Sequence, residues 1–487
     1  MKARGFYNIA ADCAERRSGE GGVAVALVPE DGRGEAWTFA ELRERARQAA
    51  YGLRRTGLKR GQRFLLKLPN GLEFPAAFLG GIILGAIPIP VSTLLTASEM
   101  RFLKEDSGAR LVLEDPALVR RWFSGPALSG SLKTRASDPA FWLYTSGTEG
   151  RPKAVIHAHR SIPAHDARNR LWLDLRKGDV VFNTSALNWS YALTCGFLDA
   201  LRGGASSVIF SGKADPEKIL RTIQARRVTV FLSVPGIYRR LTECLKKKPS
   251  LSRCLRSVRV ALSAGEKLPP EIRARFRKAS GLTLREGLGM TEHSVYLVQP
   301  KGRRVVEGSC GRSLAGRKVT ILREDLKPVR PGEVGILASH RSCAGLMLGY
   351  HRRPEEEKKV FRKDWFLSGD FAYRDAKGNF FYVGRRDDVI TAGGYRISPM
   401  EVEAVLNRYP AVRESAVTGV EISSGKTIVL GHVAVKKGRR ETDFLKRAIL
   451  NFSRKRLARY KTPREIVFVP ELPKTSNGKV QRSLLRR

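Results

Sequence analysis

YTSGTEGRPKAV, residues 144–155, is the run from which the rest of this chain can be read. Gly147 and Gly150 free the backbone, and Thr145, Ser146 and Thr148 are small and hydroxylated, so consecutive N–H groups can turn toward an anion. Ser and Thr hydroxyls donate to phosphate oxygens, and Lys153 adds a point charge. The run is not a Walker A loop, because the spacing fails and Lys153 follows Pro152 rather than glycine. Taken alone, the same composition also describes an exposed turn.

The segments on either side fix the fold class. In GEAWTFAELRERARQAAYGLRRTGLKRGQRFLLKLPNG (34–71), apolar residues at Leu42, Ala46, Ala49 and Ala50 predict an amphipathic helix over 38–55. Gly57 stops it, and a strand follows over 63–68. The rhythm recurs where 216–226 leads into VTVFLSV, and where SVRVALSAG ends in glycine. Helices alternating with short β-branched runs indicate an α/β protein with largely parallel sheets. Around 319–337 turns and short strands predict a β-rich, antiparallel subdomain. After Gly384, a helix over 399–408, further strands and a helix over 441–457 predict a small α+β domain of about 100 residues.

With 42 % hydrophobic and 8 % aromatic residues the 487-residue chain can bury a sizeable core, which excludes wholesale disorder. Its net charge of +42 invites a nucleic-acid reading. The charge is spread along the chain rather than gathered in a tail. The most basic stretch, RKRLARYKTPR (454–464), holds one aromatic, so no basic patch interleaved with aromatics supports nucleic acid as a partner. Residues 74–95 carry no charge, but Pro88, Pro90, Gly80, Gly81 and Gly85 predict a buried helix over 75–84 and a strand over 87–91, not a membrane span. The N-terminus lacks a signal-peptide core, and six scattered cysteines form no CxxC pair. Both point to a cytoplasmic protein with reduced thiols and no stable membrane association.

Five further runs follow in order: SAGE (263–266), EGLGMTE (286–292), WFLSGD (365–370), GRRDDVITAGGYRISPMEVE (384–403) and PKTSNGK (473–479). Together with the first run they resemble the core motifs of the adenylate-forming superfamily, in its acyl- and aryl-CoA synthetase branch. The resemblance spans essentially the whole chain. It implies an N-terminal ATP- and acid-binding domain over 1–386 and a mobile C-terminal domain over 387–487. It also implies an acid:CoA ligase that makes an acyl-adenylate from ATP with release of pyrophosphate, then a coenzyme A thioester.

By that resemblance Thr145, Ser146, Gly147, Thr148 and Lys153 hold the β- and γ-phosphates. Thr291 contacts the α-phosphate and Glu292 binds Mg2+, a hard cation suited to a carboxylate beside phosphates. Gly265, Glu266 and Lys267 border adenine, with Glu286, Gly287 and Leu288 on its other wall. Asp370 accepts from the ribose hydroxyls, and Arg385 reaches the ribose. Lys479 balances charge between the attacking carboxylate and the α-phosphate. Asp387 is the hinge, and Gly393, Gly394 and Arg396 belong to the coenzyme A channel. Three positions depart from the family pattern: Leu288 replaces an aromatic, Thr391 a lysine and Ala154 a glycine.

The acid pocket is expected from TSALNWSYALTCGF (184–197), with Trp189, Tyr191, Leu193 and Cys195 as apolar lining. Acetate-specific relatives place tryptophan where this chain has Gly289. Glycine leaves depth there, favouring a medium-chain or aromatic acid. The run lacks the aspartate that amino-acid-activating relatives carry. His157, His159 and His293 are expected in structural or surface roles. An alternative acceptor is the phosphopantetheine of a carrier protein, although no large insertion precedes the small domain. The sequence leaves the oligomeric state open.

Overall fold

The computed structural model describes residues 5–17, 19, 21–28, 34–130, 133–146, 152–212, 215–386, 388–392, 395–423, 426–474 and 480–485. Packing divides the chain into two units, 1–318 with 340–366, and 319–339 with 367–487.

In the first unit a nine-stranded sheet runs in the order Arg312–Ser313, Ser294–Val298, Leu284–Met290, Val260–Ser263, Val230–Ser233, Val180–Asn183, Ser206–Phe210, Val23–Val28, Ala36–Thr38. The six strands from Leu284–Met290 to Val23–Val28 are parallel, and the edges are antiparallel. Strands such as VFLS and VALS are buried on both faces, which is why they read as continuous apolar runs rather than alternating ones. Their register aligns Ser233 with Ser263 and Ser263 with Glu286, so the strand ends form one edge. In open parallel sheets ligands bind outside this carboxyl edge.

The uncharged stretch folds as expected, into the helix Glu73–Leu84 and the strand Ile87–Pro90. A Cβ on Gly80 would lie 2.8 Å from the Ala46 carbonyl oxygen and 2.9 Å from the Ala50 nitrogen. The glycine therefore allows close packing on the helix Phe39–Arg55, whose start is fixed by a reciprocal Thr38–Glu41 cap. Among the described residues no helix is long and apolar enough to cross a membrane. A separate antiparallel sheet joins Pro139–Ser146, Pro152–Ala158 and Gly349–Tyr350. Its register sets Thr145 opposite Lys153.

In the second unit the strands Val319–Leu322 and Gly335–His340 pair antiparallel, as do Trp365–Arg374 and Phe380–Arg385. Beyond them Val412–Ser423, Lys426–Val435 and Glu465–Phe468 form a three-stranded sheet, accompanied by the helices Pro399–Leu406 and Asp443–Arg454. The chain is thus α/β, with parallel sheets in the large part, a β-rich segment and a smaller α+β part.

Candidate active site

The turn between the strands Leu284–Met290 and Ser294–Val298 carries Thr291 and Glu292. Each of its residues is held from outside. The His157 ring hydrogen-bonds the Thr291 backbone, and the Met347 N–H donates to the Glu292 carbonyl at 2.8 Å. Tyr350 donates its hydroxyl to Glu292 Oε1 at 2.7 Å. Arg317 reaches the His293 carbonyl at 3.5 Å. Burial pushes the His157 imidazole down to about 4, so at neutral pH it braces the turn uncharged. His159 and His293 are also buried and shifted down by burial, so none of the three histidines lies at the surface.

Lys153 meets the same tyrosine. Its ammonium lies 4.3 Å from the centroid of the Tyr350 ring and 3.3 Å from Glu356 Oε2. Glu356 belongs to the helix Pro354–Val360, whose Glu357 accepts from the Tyr350 N–H at 2.7 Å. Lys359 first, and then Lys153, hold the Glu356 carboxyl below its ordinary range. An aromatic face over an ammonium is a cation–π contact. Tyr350 therefore joins a cation and a carboxylate that lie 139 residues apart in sequence.

Gly265 takes a φ of 89°, in the left-handed region, just past the strand Val260–Ser263. Glu266 and Lys267 follow it half-buried. Glu286 is buried, and both its oxygens are engaged, one by the Leu268 N–H at 3.1 Å and the other by Arg273 at 3.2 Å. Burial nevertheless raises its carboxyl to about 7. Leu288 pairs with Leu297. In the second unit Asp370 and Arg385 are register partners, 3.3 Å apart from Oδ1 to Nη1, with the Tyr382 hydroxyl 3.5 Å from the same oxygen.

Residues 14–351 match the AMP-binding enzyme family, and residues 401–479 match its C-terminal domain. The chain belongs to the AMP-binding enzymes. It is 32 % identical to an uncharacterized acyl-CoA ligase of Bacillus subtilis, over 96 % of this chain and 93 % of that one. It is 31 % identical to the benzoate-CoA ligase of Thauera aromatica, over 99 % and 96 %. The crystal structure of an anthranilate CoA ligase in complex with anthranoyl-AMP superposes with a TM-score of 0.89 at 28 % identity, covering 100 % and 98 %.

For an AMP-binding enzyme the metal question reduces to one carboxylate. Among the described residues no group of three or more His, Cys, Asp or Glu is placed to hold a metal ion. Glu292 is a buried hard donor with a fixed orientation, which fits a cation whose other ligands are phosphate oxygens and water. Gly147, Thr148, Asp387, Gly393, Gly394 and Lys479 lie outside the described residues, as do the side chains of Ser146 and Arg396.

The expected acid lining is corrected in two places. Leu193 and Cys195 lie on the helical turn Ala192–Leu198 without accessible surface, Leu193 in the core around Phe78 and Phe197, Cys195 in that around Trp172 and Val181. Neighbours two apart on a helix face different sides, and here both sides are packed. Trp189 is exposed and Tyr191 half-buried, with its ring 6.3 Å from that of Trp172. The Tyr191 hydroxyl and Trp172 Nε1 are both buried without a hydrogen-bond partner among the described residues. Gly289 has a backbone reason to be glycine: a Cβ there would sit 2.5 Å from the Ser294 carbonyl oxygen and 2.7 Å from Val295 Cα. Tyr350, Tyr382, Glu356 and Trp172 escaped sequence reasoning. The only signal for Tyr350 was its glycine neighbour in LGYHRRPE.

Proposed function

We propose that this enzyme activates an aromatic carboxylic acid with ATP and transfers the acyl group to coenzyme A. The acid oxygen attacks the α-phosphorus as the bond to pyrophosphate breaks. The coenzyme A sulfur then attacks the acyl carbonyl and AMP leaves. Positioning and counter-charge, rather than covalent help from the protein, carry such a reaction. The observation that carries the reading is the Tyr350 ring, which holds Lys153 and Glu292 side by side, a cation for phosphate and a carboxylate for its metal. Mg2+ bound at Glu292 supplies charge neutralisation on the phosphates.

The remaining roles are carried over from the motifs. Lys479 faces the α-phosphate in the first half-reaction, and a pivot at Asp387 exchanges it for the Gly393–Gly394 loop in the second. Asp370 and Arg385, already paired, receive the ribose. An aromatic acid is supported by two of the named relatives, a benzoate-CoA ligase and an anthranilate CoA ligase. Those names also favour coenzyme A over a carrier protein as acceptor.

The test is pyrophosphate release with ATP, Mg2+ and a panel of benzoate-type, alicyclic and medium-chain acids, followed by thioester formation with coenzyme A or a carrier protein. Release with a benzoate-type acid and transfer to coenzyme A is the expected result. No release with any acid overturns the ligase reading.

A further inference from the structure

Arg168 and Asp199 form an ion pair with no accessible surface, Nη2 against Oδ2. A buried pair of this kind must offset a large desolvation cost, so what it holds matters. Burial and the nearby Arg168 push the His165 imidazole down to about 3. It is therefore neutral, and its Nδ1–H donates to Asp199 Oδ1 at 3.2 Å. Arg168 Nε reaches Asn169 Oδ1 at 3.3 Å, which leaves Nη1 to donate to Ser294 Oγ at 2.8 Å.

Ser294 is the residue that ends the Thr291–Glu292 turn. Its φ is 55°, left-handed, which a side chain bearing a Cβ disfavours. Its hydroxyl lies 3.1 Å from Thr194 Oγ1, which donates its one proton to the Ser190 carbonyl at 2.7 Å. Thr194 must then accept from Ser294. The hydrogen bonds run in one direction, from the Arg168 guanidinium through the Ser294 and Thr194 hydroxyls to the Ser190 carbonyl. Ser190 and Thr194 lie in the segment expected to bind the acid.

We infer that Arg168, fixed by Asp199, is a positioning residue that acts through Ser294: it holds the turn bearing Thr291 and Glu292 in its strained conformation and ties that turn to the acid-binding segment. The catalytic consequence rests on the function proposed above. The geometric one does not.

Two substitutions at Ser294 separate the causes. Ser294→Ala loses the clamp and keeps the Cβ, whereas Ser294→Gly loses the clamp but occupies φ 55° freely. The clamp predicts that Ser294→Ala lowers kcat for pyrophosphate release about twentyfold or more and raises the Mg2+ concentration needed. Ser294→Gly should lose at least tenfold less, and adding it to Arg168→Met should recover activity in the double variant. Equal losses in Ala and Gly, or no loss in either, overturn the proposal. Hydrogen exchange of the Met347 amide, which bonds the Glu292 carbonyl, reads the turn without any substrate. It should accelerate in Ser294→Ala and less in Ser294→Gly. Unchanged exchange in Ser294→Ala overturns the clamp even if the wild type proves inactive with every acid. Absent pyrophosphate release with the exchange pattern intact overturns only the ligase reading.

Discussion

Lys153 and Glu292 meet on one side chain: the lysine ammonium lies 4.3 Å from the Tyr350 ring centroid, and the Tyr350 hydroxyl donates to Glu292 at 2.7 Å. The two motifs assigned to triphosphate and metal are thus coupled by a residue belonging to neither. Tyr350→Phe keeps the ring under Lys153 and removes only the hydrogen bond. It should raise the Mg2+ requirement about tenfold or more, the usual scale for one hydrogen bond to a charged group. Tyr350→Ala, which removes both contacts, should also raise KM for ATP. Pyrophosphate release titrated against Mg2+ and ATP checks both.

Glu356 competes for the ammonium that phosphate would use. Glu356→Gln removes one negative charge beside that site, so KM for ATP should fall about two- to fivefold at low ionic strength. The gain should shrink as salt is added, because partly exposed charges are screened. Lys153→Ala should do the reverse, raising KM by about tenfold or more. A KM unmoved by either substitution would detach Lys153 from the triphosphate.

The buried carboxyl Glu286 and the buried imidazoles act on stability with opposite sign. Glu286 is raised from 4.5 to about 7, so the folded state binds its proton more tightly, and stability is lost as pH rises from about 4.5 through 7. His157 and His159 are lowered from 6.5 to about 4, and His165 to about 3. Their contribution is present above pH 6.5 and is lost as pH falls toward those values. Three groups outweigh one, so urea midpoints should fall between pH 6.5 and 4.5. In Glu286→Gln the decline should be steeper, because the opposing carboxyl is gone. The difference in slope between variant and wild type is the measurement.

Arg482 anchors the segment that follows the PKTSNGK motif. It grips Glu403 with Nε and Nη2 at 3.0 and 2.7 Å and lies 3.6 Å from Asp388. Bidentate pairs of this kind fix orientation as well as charge. Arg482→Ala should therefore depress adenylate formation about tenfold. Thioester formation from supplied acyl-adenylate should be spared. Lys479→Ala should show the same split more strongly. Equal loss of both half-reactions would refute the assigned role of Lys479.

Motif order and local pattern carried the family, the α/β class and several helices into the sequence, because glycine placement, β-branched runs and the 3.6-residue period are properties of neighbours in the chain. The helices Phe39–Arg55 and Glu73–Leu84 and the antiparallel pairing after Val319 were legible for that reason. Leu193 and Cys195 were not, since two residues in one apolar run are distinguished only by the separate cores that receive them. Nor was the support of the Thr291–Glu292 turn. Tyr350, His157 and Arg168 reach it from distant points of the chain, and no local pattern encodes where a buried hydroxyl, imidazole or guanidinium will find its partner. The sequence supplied the candidate groups proposed for the chemistry. Folding brought in the groups that hold them still, because a buried polar atom is satisfied by whatever long-range packing sets beside it.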